Sequence, residues 1–224
     1  AGRIFWKCCR DEAAAECSWV RRQAVPENGL RMKGENKMKV LMLNGSPHEK
    51  GCTYTALCEV AGELNKAGIE TEILHVGGGA VHGCMGCGGC GKLGRCVYGD
   101  DLVNAAAEKM KEADGLIVGS PVHYAAASGA ITSFLDRLFY SAGKYMAYKP
   151  GACVVSARRA GTTATLDQLN KYFMISQMPV VSSQYWNMVH GSCPEDVRKD
   201  EEGLQIMRTL GRNMAWMLKC FEAG

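Results

Sequence analysis

Four cysteines fall within thirteen residues, in the run Cys84-Met-Gly-Cys87-Gly-Gly-Cys90-Gly-Lys-Leu-Gly-Arg-Cys96. Two-residue spacings let thiolates converge on one centre, and the interleaved glycines let the backbone turn tightly and aim N–H groups at sulfur. Three chemistries use such a set. A four-iron four-sulfur cluster takes four Cys ligands of this kind, and structural zinc also takes four, more usually as two separated pairs. Unligated cysteines in a contact loop stay reduced or form disulfides. The spacing differs from the bacterial ferredoxin run, because five residues precede the last Cys and no Pro follows it. Cys84, Cys87, Cys90 and Cys96 are the candidate metal ligands, and all three readings stand open. Cys58, Cys153 and Cys220 lie in periodic segments and read as small core residues.

A second set of residues is built for an anion. The stretch from Leu41 to Thr55 ends an apolar run at Asn44, crowds small and hydroxylated residues into a tight loop, and then starts a helical pattern. A helix start presents unpaired N–H groups and the positive end of its dipole, so a phosphate placed there finds ready donors. Ser46, Thr53 and Thr55 add hydroxyls, while Pro47 fixes one dihedral without needing a donor. No Gly-Lys-Ser/Thr ending and no G-x-G-x-x-G is present, so the triphosphate loop and the dinucleotide fingerprint both drop out. A single phosphate monoester fits better. The plain alternative is a strand-to-helix turn capped by Ser or Thr.

These residues must be held by regular elements, and from Lys39 onward the sequence alternates between the two hydrophobic periods. Strands are expected at 40–43, 69–76, 115–119, 152–156 and 180–183; helices at 53–67, 101–113, 129–140, 163–177 and 194–221. Strands alternating with helices imply right-handed crossovers and a parallel sheet covered on both faces. Five such units make a doubly wound α/β sandwich, in which ligands sit beyond the carboxyl ends of the strands where the strand order reverses. Three loops should therefore matter: those after Asn44, Gly119 and Ser156. The second, from Ser120 to Gly129, sets small residues around His123 and Tyr124, as a flat ring lying against backbone would need. The third, Ala157-Arg158-Arg159-Ala160-Gly161-Thr162-Thr163, again opens a helix with Gly and Thr.

Asn44-Gly45-Ser46-Pro47 with Gly51-Cys52-Thr53, then Gly119-Ser120-Pro121-Val122-His123-Tyr124, then Phe134-Leu135-Asp136-Arg137, resemble the NADPH-dependent FMN reductase family and its iron-sulfur flavoprotein branch. The similarity runs from about Lys39 to the C-terminus, and the cysteine run with its following Asp100-Asp101 resembles the compact motif of that branch. The resemblance implies a flavodoxin-like three-layer sandwich with a five-stranded parallel sheet. Carried over by motif, Ser46, Pro47, Cys52, Thr53 and Thr55 surround the FMN phosphate and Pro121, Val122, His123 and Tyr124 line the isoalloxazine. Arg159, Gly161 and Thr162 supply the third FMN loop. Cys52 stands where the family often has Asn, and His123 where Tyr is frequent. The implied activity is an FMN-dependent NAD(P)H oxidoreductase. Its acceptor would be a quinone, a nitro or azo compound, another flavin or a redox protein, and a homodimer or homotetramer is implied. Two rivals remain: an electron carrier with FMN and a four-iron four-sulfur cluster but no direct nicotinamide use, and a flavin-free binding module. No side-chain acid or base is required by this chemistry, so catalytic residues stay unassigned.

Composition bounds the rest. The chain of 224 residues is 47% hydrophobic and 22% charged, the balance of a globular protein with one sizeable core. Residues 1–37 hold eight Lys or Arg and five Asp or Glu, which accounts for the whole formal charge of +3. The remainder, with 18 of each sign, is neutral, and a nucleic-acid role loses its electrostatic support. No apolar run approaches the roughly 18 residues of a spanning helix, and the charged and polar residues from Arg10 to Arg22 do not resemble a secretory signal. A cytoplasmic location is expected, with metal or redox chemistry rather than disulfides for the clustered cysteines. Residues 1–37 show no lasting periodicity, and Lys33-Gly34-Glu35 back-translates to a purine-rich run of ribosome-binding character shortly before Met38. The domain is accordingly expected over 38–224, with 1–37 as upstream sequence read in frame or a disordered extension. His75 and His82 read as ordinary hydrogen-bonded histidines, Met207, Met214 and Met217 as core, and the stretch 184–190 as a candidate pocket closure or dimer contact.

Overall fold

The structure is a computed structural model that describes residues 37–99 and 102–223. The leader assigned to 1–37 lies outside the described residues apart from Lys37, as do Asp100 and Asp101. In chain order the elements are β1 (Lys39–Asn44), α1 (Cys52–Lys66), β2 (Glu70–His75), the short α2 (Gly89–Leu93), α3 (Leu102–Glu112), β3 (Gly115–His123) and β4 (Ala126–Ala127). They continue with α4 (Gly129–Ala142), β5 (Gly151–Ala157), α5 (Thr162–Ile175), β6 (Met188–His190), α6 (Pro194–Lys199) and α7 (Glu201–Ala223).

Strands β2-β1-β3-β5-β6 lie side by side in that order, all parallel, and β4 pairs antiparallel with the end of β3. The period of two along each strand separates two cores. Leu41, Leu43, Leu116, Val118, Cys153 and Val155 pack with α3, α4 and α5. Val40, Met42, Ile117, Ala152 and Val154 pack with α1 and α7. Strands β1, β3 and β5 are buried on both faces, which is why their sequences read as unbroken apolar runs. The order reverses between β1 and β3, so the crevice of a doubly wound sheet falls where the first two loops meet.

Three elements depart from expectation. Strand β3 does not stop at Gly119: Ser120 and Pro121 keep pairing with Val155 and Ser156. Val122 and His123 then fold back on Ala127 and Ala126. The turn between them consists of Tyr124 and Ala125, at φ +51° and +60°, the left-handed pair that matches hairpin twist. The fifth parallel strand is β6, not 180–183. Val180 makes only an isolated bridge to Gly151, after which Ser183 Oγ donates to Ile206 O (2.7 Å) and Asn213 Nδ2 donates to Ser182 O (2.8 Å), drawing the chain onto α7. The closing helical segment breaks at Asp200, whose carboxylate accepts from His190 N (2.7 Å) and Gly203 N (2.9 Å) and so caps α7. Cys58 and Cys220 are exposed, leaving Cys153 as the core residue of that trio. Met207 and Met214 are buried and Met217 packs beside them. Among the described residues no helix is long and apolar enough to cross a membrane.

Candidate functional site

The first loop closes on itself before it meets anything else. Asn44 is wholly buried; its Nδ2 donates to Glu49 O (2.9 Å) and its Oδ1 accepts from Ser46 N (3.1 Å). Ser46 Oγ accepts from His48 N (3.1 Å), which leaves its own hydrogen to donate. Helix α1 begins at Gly51 with no side-chain cap, so its first turn keeps the orphan donors and positive dipole end that an anion needs. From below, β2 shores the loop: His75 Nε2 donates to Ser46 O (2.8 Å), and Gly77 lies so close that a Cβ there would sit 2.3 Å from the same oxygen. Pro47 and His48 stand exposed on the rim.

The hydroxyls divide their work. Thr53 Oγ1 and Ser156 Oγ share a buried hydrogen bond of 2.8 Å, tying α1 to the end of β5. Thr55 Oγ1 donates to Gly51 O (3.2 Å) and steadies the turn. Cys52 Sγ donates to Gly191 O (3.7 Å); burial pushes this thiol above its ordinary value, and nearby Cys193 adds to the effect. Ser46 therefore keeps a hydroxyl proton to donate, whereas Thr55 spends its own within the turn and Thr53 is engaged with Ser156.

The second and third loops are fastened to the first. Ser120 Oγ accepts from Ser128 N (3.0 Å) and donates to Pro121 O (2.8 Å). Ser128 caps α4, and its hydroxyl crosses to Gly45 O (2.7 Å). Gln168 Oε1 on α5 accepts from Ala127 N (2.9 Å), holding the hairpin down. Gly161 caps α5 at φ +92°, and a Cβ there would lie 2.7 Å from Ala125 Cα, so the third loop rests directly on the hairpin turn. Pro121 and Val122 are half-buried, whereas His123 and Tyr124 are exposed; Arg158 and Arg159 are exposed cations on the same edge, and Thr162 is buried behind them. Ser128, Ser156 and Gly77 were not marked out by sequence reasoning. Ser128 had a signal, as a small hydroxyl directly before a helix; the other two had none. The stretch 184–190 is divided, with Tyr185 and Trp186 exposed and edge-on at 4.8 Å and its last three residues forming β6.

Between β2 and α3 the chain makes the cysteine loop. Gly86, Gly88 and Gly94 take positive φ and let it double back. Cys84 and Cys87 are exposed, Cys90 is half-buried and Cys96 is buried. All four line one partly open hollow. Among the described residues no three Cys, His, Asp or Glu side chains group closely enough to hold one metal ion. Zinc and an iron-sulfur cluster both draw on such an all-thiol donor set. Arg137, reaching in from α4, is itself buried and donates to Cys96 Sγ (3.2 Å).

A parallel sheet in this order, with helices on both faces and three interlocked loops at its carboxyl edge, defines a flavodoxin-like α/β protein. The chain belongs to the NADPH-dependent FMN reductase family, whose profile matches residues 38–192, and to its iron-sulfur flavoprotein branch. It is 33% identical over 190 residues to an iron-sulfur flavoprotein of Methanocaldococcus jannaschii, covering 81% of this chain and 98% of that one. Among solved structures it resembles an NAD(P)H:quinone oxidoreductase from Methanothermobacter marburgensis, with TM-score 0.60 at 17% identity over 80% of this chain and 96% of the other. An archaeal flavodoxin superposes with TM-score 0.57 at 14% identity, covering 81% and 99% of the two chains. These two likenesses speak to the fold alone.

Proposed function

We propose that the chain binds FMN at the carboxyl edge of the sheet. It takes electrons from NAD(P)H and passes them to a quinone, a nitro or azo compound, another flavin or a redox protein. One observation carries this reading: three loops are fastened to one another around an uncapped helix start, through Ser128 Oγ on Gly45 O and Thr53 Oγ1 against Ser156 Oγ. When bound, FMN supplies hydride acceptance from a nicotinamide and electron release to an acceptor. The chain's part is to hold and orient. The start of α1 and the Ser46 hydroxyl receive the phosphate, with Pro47, Cys52, Thr53 and Thr55 shaping that turn. Pro121, Val122, His123 and Tyr124 flank the ring, and Arg159, Gly161 and Thr162 bound it on the third side. The exposure of His123 and Tyr124 leaves this edge open to a second ring or to a protein surface. A homodimer or homotetramer in the cytoplasm is the assembly this reading expects.

The cysteine hollow favours a second reading, an electron carrier that adds a four-iron four-sulfur cluster on Cys84, Cys87, Cys90 and Cys96 and is served by a redox protein instead of a nicotinamide. An all-thiol donor set around one hollow supports the cluster, as does the name of the Methanocaldococcus relative. Stopped-flow reduction of the anaerobic, FMN-loaded chain separates the two. Bleaching of the flavin by NADPH or NADH supports the first reading. Flavin that resists both nicotinamides but is reduced by ferredoxin selects the second. A chain that takes up no FMN contradicts both.

A further inference from the structure

Cys52 opens α1, the helix whose uncapped start borders the candidate phosphate site, and its Sγ donates to Gly191 O at 3.7 Å across 139 residues of chain. Two residues beyond Gly191 stands Cys193, which directly precedes α6 and faces the Glu195 and Asp196 carboxylates of that helix. Cys193 lies near enough for its charge to bear on the Cys52 thiol. The segment between them is held in place: Gly191 N donates to Ala157 O (3.0 Å) and Ser192 N to Asp196 Oδ2 (3.0 Å). A Cβ on Gly191 would lie 2.8 Å from Val197 N, so its small size is what lets this turn sit tight against α6. Both thiols are half-buried and free, within reach of a small reagent. Elsewhere on the helices Cys58 and Cys220 are exposed, and Cys153 is buried in the sheet.

We infer that Cys52 and Cys193 form a reversible disulfide that fastens the start of α1 to the start of α6 and so locks the phosphate turn. The consequence rests on the FMN reading above; the bond itself does not. A low-molecular-weight disulfide, oxidised glutathione, is the oxidant. One cysteine sulfur attacks it, its S–S bond breaks, and one glutathione leaves as a thiol with the proton that the cysteine gave up. The second cysteine then attacks the mixed disulfide, a bond forms between the two protein sulfurs, and the second glutathione leaves with the second proton. The protein sulfurs lose the two electrons that the oxidant gains. Burial holds the Cys52 thiol above its ordinary value, which makes its thiolate scarce, so Cys193 attacks first and Cys52 closes the bond. Release of an anion held at a helix start requires that turn to open. A covalent tie from the first residue of α1 shuts that route, whereas the 3.7 Å thiol contact leaves it open.

The test uses the full chain, with and without FMN, equilibrated in mixtures of reduced and oxidised glutathione. Free thiols are then alkylated and the peptides mapped by mass spectrometry. A peptide pair joined through Cys52 and Cys193 is expected in both samples and should disappear on adding dithiothreitol. FMN release, followed by the rise of flavin fluorescence on dilution, is expected to be about tenfold slower from the oxidised chain than from the reduced one, because the opening of one turn is suppressed. Cys193→Ser keeps the size of the side chain and removes the bond, so its release rate should be the same in oxidising and reducing mixtures. An oxidised wild-type chain with no such joined pair, or with glutathione left on Cys193 beside a free Cys52, overturns the inference. A joined pair with unchanged FMN release also overturns it, since the bond would then lock nothing. A chain that takes up no FMN overturns the FMN reading and the lock with it, while the peptide map still shows separately whether the bond forms. The wild-type map decides even where Cys193→Ser fails to fold.

Discussion

Gly77 is where the phosphate loop is most sharply testable. An added Cβ would lie 2.3 Å from Ser46 O, 2.5 Å from Ser46 C and 2.6 Å from Gly45 C, all backbone atoms that cannot swing aside. Ordinary contact begins at 3.4 Å, so in Gly77→Ala the loop must retreat by about 1 Å. That displacement breaks the His75 Nε2–Ser46 O bond of 2.8 Å and draws Ser46 away from the start of α1. Loss of one hydrogen bond to a charged group costs about 1.5–3 kcal/mol, which is roughly a ten- to hundredfold rise in the FMN Kd. Gly79→Ala is the control two residues away, exposed and with nothing within 4 Å of its Cβ. Flavin fluorescence quenching measures both variants with FMN and with riboflavin, which has no phosphate. Gly77→Ala should lose FMN affinity but keep its riboflavin affinity, and Gly79→Ala should keep both. Equal FMN affinity in the two variants would refute the placement of phosphate over this loop.

Other expectations follow from single contacts. Thr53→Val strands Ser156 Oγ in a buried setting and should cost about 1–3 kcal/mol, whereas the double variant Thr53→Val/Ser156→Ala should be nearly neutral; thermal melts of the four apo proteins read this as a drop of roughly 2–4 °C per kcal/mol in the single variants alone. Ala125→Gly removes a left-handed Cβ from the hairpin turn and should raise stability by about 0.5–1 kcal/mol in a urea titration; a lower midpoint would count against that conformation. The hydrogen bond from Lys109, at 2.6 Å, holds the Glu72 carboxyl below the usual carboxylate range, with Lys39 at 3.6 Å assisting. A depressed folded value means this contribution is present at neutral pH and is lost as the pH falls through the folded value. Glu72→Gln should thus lower stability by less than about 1 kcal/mol at neutral pH, its partly exposed carboxylate being screened. The gap should close in acid, and a gap that stays constant with pH would sink the assignment.

The position of the three loops could be read from residue types because each follows a largely buried strand. An apolar run that ends abruptly in Gly, Ser or Thr and restarts at helical period, as at Asn44–Thr53, leaves the chain little else to do than turn at the sheet edge. The fifth strand was not legible for the opposite reason. Val180 and Val181 carry the β-branched signal, but the hydrogen bonds from Ser183 and Asn213 pull that segment onto α7. The paired strand is three residues long and ends in a histidine. Arg137 shows the limit of pattern reading. Its neighbours Phe134, Leu135 and Leu138 announce a buried face. Nothing in local sequence says that a guanidinium shares that face, because its partners, His82, Cys96 and Tyr98, lie about 40 to 55 residues away along the chain. The fastening of the three loops was hidden in the same way: Ser128 to Gly45 and Thr53 to Ser156 are contacts that only the closed sheet creates.

The most direct test of the account is the visible spectrum of anaerobically purified chain, read with FMN, iron and acid-labile sulfide assays on the same sample. The account predicts one FMN per chain, bound more weakly in Gly77→Ala; about four iron with a matching amount of sulfide, lost in Cys87→Ser while FMN stays, would select the electron-carrier reading. A colourless protein that binds neither added FMN nor iron would contradict it.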